Sequence, residues 1–218
     1  MNDNSKTQAF LEAINNDDNK QWLLDVAEQG IDACLDNNSL LQQIPIVNFV
    51  VAGCKTTMLM RQKHDLYETC KFLEGFKGNS LSEQDKIRYR SKFDADTKKA
   101  EKELSNILII LDSHYQQNQS KRLGKIYRKY LDETFDDNIF HELVEVNRRC
   151  FDSDIDVLLR IQQINKQHIG CTDRIETKEA HKAERLNSVG LISIIGTNYG
   201  IENILPNVGN GKSYYLNP

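Results

Sequence analysis

The sequence predicts a mainly α protein: a helical bundle with a C-terminal winged-helix-like unit that ends in a β-hairpin. Three observations predict it. Up to Asn187, apolar residues recur at spacings of three and four through one stretch after another. Only three prolines occur in 218 residues, and proline is the residue that breaks helices. After Asn187 the pattern changes. A helix stops on Gly190, and Leu191-Ile192-Ser193-Ile194-Ile195 follows as an apolar run rich in β-branched residues.

The elements follow in order. Trp22, Leu23, Val26, Ala27, Gly30, Ile31, Cys34 and Leu35 mark an amphipathic helix over Gln21 to Asp36, interrupted by Asn37-Asn38-Ser39. Pro45 sits early in the next apolar run, where a first-turn proline is tolerated. A long helix follows through Leu59, Leu66, Cys70 and Leu73, and stops near Gly75 to Asn79. Ser82-Glu83-Gln84-Asp85 reads as a capping box, with Leu81 placed to staple back onto the new helix. Phe93, Ala100, Leu104, Ile107, Leu111 and Tyr115 keep a heptad-like spacing; whether the chain bends at Asp94-Ala95-Asp96 is left open. Ser120 or a neighbour starts a short basic helix, Lys121 to Leu131. Asp136 caps another that carries Phe140, Leu143, Val144, Asn147 and Cys150. Ser153-Asp154-Ile155-Asp156 reads as a further capping box, opening a helix through Leu158, Ile161 and Ile164. The last helix runs from Lys178 to Val189. Gly196 to Gly211 then forms a turn region, and Ser213 to Leu216 returns as a partner strand. A soft boundary divides a helical region, 1–119, from a unit, 120–218, that ends in the hairpin.

Charge is more informative by segment than in total. The net charge of -4 argues against a protein that coats DNA, which would be strongly basic. Residues 1–60, 61–130 and 131–170 carry net charges of -5, +6 and -5. Such opposite blocks either pack face to face, or stay solvated, or guide docking to a partner or a second copy. The basic residues fall in two clusters. Lys86, Arg88, Arg90 and Lys92 form one; Lys121, Arg122, Lys125, Arg128 and Lys129 form the other. They are the candidate site for phosphates of a nucleic acid or an anionic lipid. The competing reading pairs them with Asp132, Glu133, Asp136 and Asp137. Residues 37–54 hold no charge, and Ile44 to Cys54 is nearly all apolar. This stretch is shorter than the roughly 20 residues a membrane span needs. A buried core helix is one reading; an interface or membrane-inserting segment, with Ile46, Phe49, Val50 and Met58 at its face, is the other.

The chemistry-bearing motifs mostly point away from catalysis. Gly211-Lys212-Ser213 ends like a phosphate loop, but Pro206 stands where the first glycine belongs, and the residues after Ser213 read as a strand instead of a helix. His168 and Cys171 have half of a zinc-site spacing, with no second pair at a typical distance. His141-Glu142 lacks the second histidine of a zinc-protease motif. No nucleophile elbow or glycine-rich loop after a strand occurs. We therefore expect neither a cofactor nor a metal. The five cysteines are odd in number, widely spaced and free of any CxxC, and the polar N-terminus carries no signal-like apolar run. They read as buried free thiols of a cytoplasmic protein.

Ser120 to Ile161 resembles a segment of uncharacterised helical bacterial proteins. The closing pattern Glu184-Arg185-Leu186-Asn187-Ser188-Val189-Gly190-Leu191-Ile192 resembles them too. The arrangement is similar in outline to the abortive-infection alpha family, which is linked to phage defence. The resemblance covers the second half of the chain and carries over no catalytic residue. It implies a bacterial defence or mobile-element context. The expectation is a non-enzymatic binding protein: a subunit, adaptor or effector that works through protein partners or self-association. The alternatives are a winged-helix nucleic-acid binder using the basic helices, and a membrane-active effector using residues 44–60.

Overall fold

The computed structural model describes residues 6–15, 60–78, 81–116, 118–167, 173–174, 179–197 and 212–216. Eight helices and three short strands lie among them: α1 (Lys6–Asn15), α2 (Met60–Lys77), α3 (Glu83–Ala95), α4 (Thr97–Asp112), α5 (Gln119–Leu131), α6 (Asp137–Arg149), α7 (Asp152–Gln167), β1 (Asp173–Arg174), α8 (Ala180–Ser188), β2 (Ile192–Thr197) and β3 (Lys212–Leu216). The protein is mainly helical, as expected. The helix expected over Gln21 to Asp36, the run after Pro45 and the residues Ile46, Phe49, Val50 and Met58 lie outside the described residues. Among the described residues no helix is long and apolar enough to cross a membrane.

The chain divides into two compact units, Met1–Val144 and Glu145–Pro218. The division falls later than the expected 119/120 boundary, because α5 packs along α2 and so belongs with the first unit.

In the first unit, α1, α2, α3 and α5 meet around Phe10. Its ring lies 5.2 Å from Phe76, 5.8 Å from Phe93 and 6.1 Å from Tyr127, each edge-on. Edge-to-face geometry sets the positive rim of one ring against the negative face of the next, which adds to the gain from burial. The α2–α5 crossing is close because Gly75 and Gly124 stand at it. A Cβ on Gly124 would fall 2.1 Å from the Phe72 carbonyl oxygen.

Several expected helix ends are confirmed atom by atom. Ser82 Oγ accepts from Asp85 N–H at 3.1 Å, and Asp85 accepts back from Ser82 N–H at 3.3 Å, completing the capping box. Leu81 is buried beside it. Asp136 accepts from Ile139 N–H at 3.0 Å and caps α6. The chain does break at Asp96, whose carboxylate accepts from Lys99 N–H and starts α4. Tyr115 departs from the expected seam. It is 68% exposed, since α4 ends at Asp112. The helix α1 was not among the expected elements.

In the second unit, α7, α8 and β2 enclose Cys150, Val157, Ile161, Ala183, Leu186 and Ile192. The start of α7 differs from expectation. Asp154, not Asp156, closes the first turn, accepting from Phe151 N–H at 2.9 Å. Asp154 has no solvent exposure, and the Arg185 guanidinium grips it through two bonds of 3.0 and 2.7 Å. At the end of α8, Gly190 takes φ +78°, and Leu191 N–H reaches back to the Leu186 carbonyl. That left-handed turn is the expected glycine stop. The strands order β1-β3-β2, all antiparallel, with Ile192 opposite Leu216 and an irregularity between Ile194 and Thr197. Residues 198–211, the expected turn, lie outside the described residues. The described fold is thus mainly helical, and neither a hairpin nor a winged helix is established by it.

Candidate functional site

The two basic clusters come together, because α3 and α5 are neighbours, but acids come with them. Arg88 binds Asp85 at 2.8 Å and also Asp132. Arg128 reaches the Lys77 carbonyl at 3.0 Å and Asp85 at 3.7 Å. Lys92 bonds the Leu131 carbonyl and Glu133, at 2.6 and 2.7 Å. Lys86 is buried against Glu83 at 2.7 Å, and Lys121 bonds Glu74. Arg122 is half-buried and engaged as well. Arg90, Lys125 and Lys129 are exposed. Pairing of this kind lowers the field available to phosphate, because each paired cation already faces an anion. Lys212 and Ser213 lie in β3, so no helix starts on them as a phosphate loop requires.

A buried polar chain joins α2 to the start of α5. Ser120 Oγ donates to Glu68 Oε2 at 2.5 Å, and His114 Nδ1 lies 2.6 Å from the same Oγ. All three side chains are buried. These residue types belong to a catalytic triad, but the order does not. The serine stands between the histidine and the carboxylate and donates to Glu68, so the carboxylate does not orient the imidazole and the imidazole is not the acceptor of the serine proton, as a triad requires. Burial also shuts out a substrate. Sequence reading missed the group because Glu68 and Ser120 are 52 positions apart.

Burial pushes the Glu68 carboxyl up, against the Ser120 bond and the charges of His64 and Lys71. Burial also drives His114 down from 6.5 to about 4, helped by the charges of Arg122 and His64. The imidazole is therefore neutral in the folded chain. A depressed folded-state value stabilises the fold above pH 6.5, and that stability is lost as pH falls through 4. The loss is about 3 kcal/mol. Glu68, with its raised value, acts in the opposite sense, so the two must be separated. Urea unfolding followed by helical circular dichroism at pH 6.5 and pH 4 should show a larger drop for the native chain than for His114→Gln. Equal drops would remove His114 as the cause.

Two adjoining depressions mark the surface of the first unit. A cleft of about 580 Å³ is lined by Phe93, Leu131, Phe135 and Tyr130, with Glu103 and Asp137 also on its wall. The volume is that of a ligand pocket. The Tyr130 hydroxyl lies 2.9 Å from Asp137 and 3.3 Å from Glu103. Burial, and then these carboxylates, raise its pKa well above the usual phenol range, so it stays a donor. A phenol has one proton, and the closer Asp137 takes it. Glu103 is left with the Tyr127 hydroxyl at 3.4 Å and Lys99 at 3.7 Å, both weak contacts. Asp96 and Asp136, also on the wall, are occupied as helix caps. Five carboxylates and two lysines line the cleft, so the balance is acidic.

Glu103 also borders the second depression, an apolar groove of about 280 Å³ between α4 and α6. Ile107, Ile110, Phe140 and Val144 line it, with Ile109 on its rim at 70% exposure. Ile139, nearby in sequence on α6, is 42% exposed. Among the described residues no group of three or more His, Cys, Asp or Glu side chains could hold a metal ion, and Cys70 and Cys150 are buried thiols.

No protein family, curated protein or solved structure matches this chain.

Proposed function

We propose that this chain is a non-catalytic binding protein that works through protein–protein contacts. We place it in the bacterial phage-defence or mobile-element setting that its resemblance to the abortive-infection alpha family implies. The observation that carries the reading is the groove between α4 and α6, where an apolar floor runs up to an exposed isoleucine at 70%. An apolar side chain held in water at a groove rim gains about 25 cal/mol per Å² when a partner covers it. The pairing of most basic side chains with acids supports protein contacts over a nucleic-acid surface.

Native mass spectrometry of the chain purified from its host tests this. Wild-type chain should retain a protein partner or a second copy, and Ile109→Asp should lose it while keeping its helical spectrum. Retention of nucleic acid alone, falling steeply with salt, would replace the reading with the alternative.

That alternative is a winged-helix-like second unit that binds nucleic acid. The β1-β3-β2 order with α8 leading into β2 favours the unit itself. The charges of α8 favour a structural role for it, since Arg185 is bound to Asp154 and Lys182 to Glu179. The membrane-active reading rests on residues 44–60, nearly all of which lie outside the described residues.

A further inference from the structure

We infer that the groove and the cleft together take an amphipathic helix of a partner protein, one that carries a lysine or arginine at one end of its apolar face. The inference rests on the binding-protein reading above and adds the chemistry of the occupant. The shape comes from the groove. Two helices, α4 and α6, form its walls, and Ile107, Ile110, Phe140 and Val144 form its floor. An apolar floor between two helices matches the i, i+3, i+4 apolar stripe of a third. The charge comes from the cleft. Glu103 borders both depressions, and Asp137 lies beside it across the Tyr130 hydroxyl. One phenolic proton cannot satisfy both carboxylates. A cation entering beside the Tyr130 hydroxyl completes the set. The nearest basic groups of the chain both stay at 3.7 Å, Lys99 from Glu103 and His141 from Asp137, and Lys92 is bound to Glu133 and Leu131. None of them bridges the two carboxylates. A guanidinium fits best, because its planar fork bonds two carboxylates at once.

The orientation follows. The basic residue lies at the cleft end, against Glu103 and Asp137, and the apolar residues run from there toward Val144. An acidic residue in the same place would meet two carboxylates and be rejected, so the site selects by charge as well as by shape.

The test is selection from a phage-displayed library of random peptides of about 15 residues, four helical turns, against the full chain. Ile109→Asp serves as the blocked control, since its exposed side chain leaves the core untouched. Enriched peptides should show apolar residues at helical spacing with Lys or Arg at one end. A synthetic copy should bind the Glu103→Gln, Asp137→Asn double variant about tenfold more weakly by fluorescence anisotropy. Enrichment of apolar helices with no basic preference, bound equally by the double variant, would overturn this inference and leave the binding-protein reading standing. Enrichment no greater than on Ile109→Asp would overturn both.

Discussion

Gly124→Ala is expected to lower the stability of the first unit by about 3 kcal/mol, the top of the range for overpacking, or roughly 10 °C in melting temperature. The added Cβ would stand 2.1 Å from the Phe72 carbonyl oxygen and 2.7 Å from the Phe76 nitrogen. Both are backbone atoms of α2, so no rotamer change relieves the clash. Gly75 repeats the situation from the other side, 2.0 Å from the Lys121 carbonyl oxygen. To admit a methyl group the two helices must separate. Separation would open the packing of Phe72, Phe76 and Tyr127, which lie 6.0 to 6.4 Å from one another. Alanine's better helix propensity returns only about 1 kcal/mol. Lys125→Ala, at an exposed site on the same helix, should change stability by less than about 0.5 kcal/mol. A Gly124→Ala chain that melts with the native one would mean that the helices do not cross so closely.

The second large effect lies in the other unit. Arg185→Met should cost about 3 kcal/mol, the low end for breaking a buried ion pair. Asp154 has no solvent exposure, so its carboxylate would be left buried without its cation. The low end applies because Arg185 keeps 34% of its side chain in water. The guanidinium also lies 4.7 Å from the Phe151 ring centre, a contact the methionine partly replaces. Adding Asp154→Asn to Arg185→Met should recover part of the loss. The amide still accepts from Phe151 N–H but carries no charge to strand. Chemical denaturation of the single and double variants supplies the cycle. Additive losses would show that the pair is not coupled.

Reading the sequence located most of the described helices, and the misses have physical causes. The helix α1 escaped notice, though Phe10, Leu11 and Ile14 stand at helical spacing. One short apolar cluster inside a polar terminus is a weak signal, and α1 gains most from its aromatic contacts with α2, α3 and α5. The start of α7 was misplaced because Asp152, Ser153, Asp154 and Asp156 offer several capping registers, and only the Phe151 N–H bond selects one. Tyr115 continued an apolar spacing that the chain leaves at Ser113, whose hydroxyl turns back to the Ile110 carbonyl.

The candidate site was less legible. The basic clusters are conspicuous as a run of letters, yet the acids that answer them stand far off in sequence. Arg88 and Asp132 are 44 positions apart, and Lys121 and Glu74 are 47 apart. The groove and the cleft had no signal at all, since their walls are ordinary amphipathic helices.

By itself, then, the sequence determined the mainly α class, the apolar faces and the helix ends at Ser82, Asp136 and Gly190. Those features depend on groups within a turn or two of one another, and local spacing encodes them. Only the tertiary structure decided that α2 and α5 meet glycine to backbone, that most of the basic side chains are paired, that His114 is held neutral, and that Glu103 and Asp137 share one phenol at the edge of an apolar groove. Each of these depends on which distant helix faces which, and that is set by how the side chains of several helices fill one core.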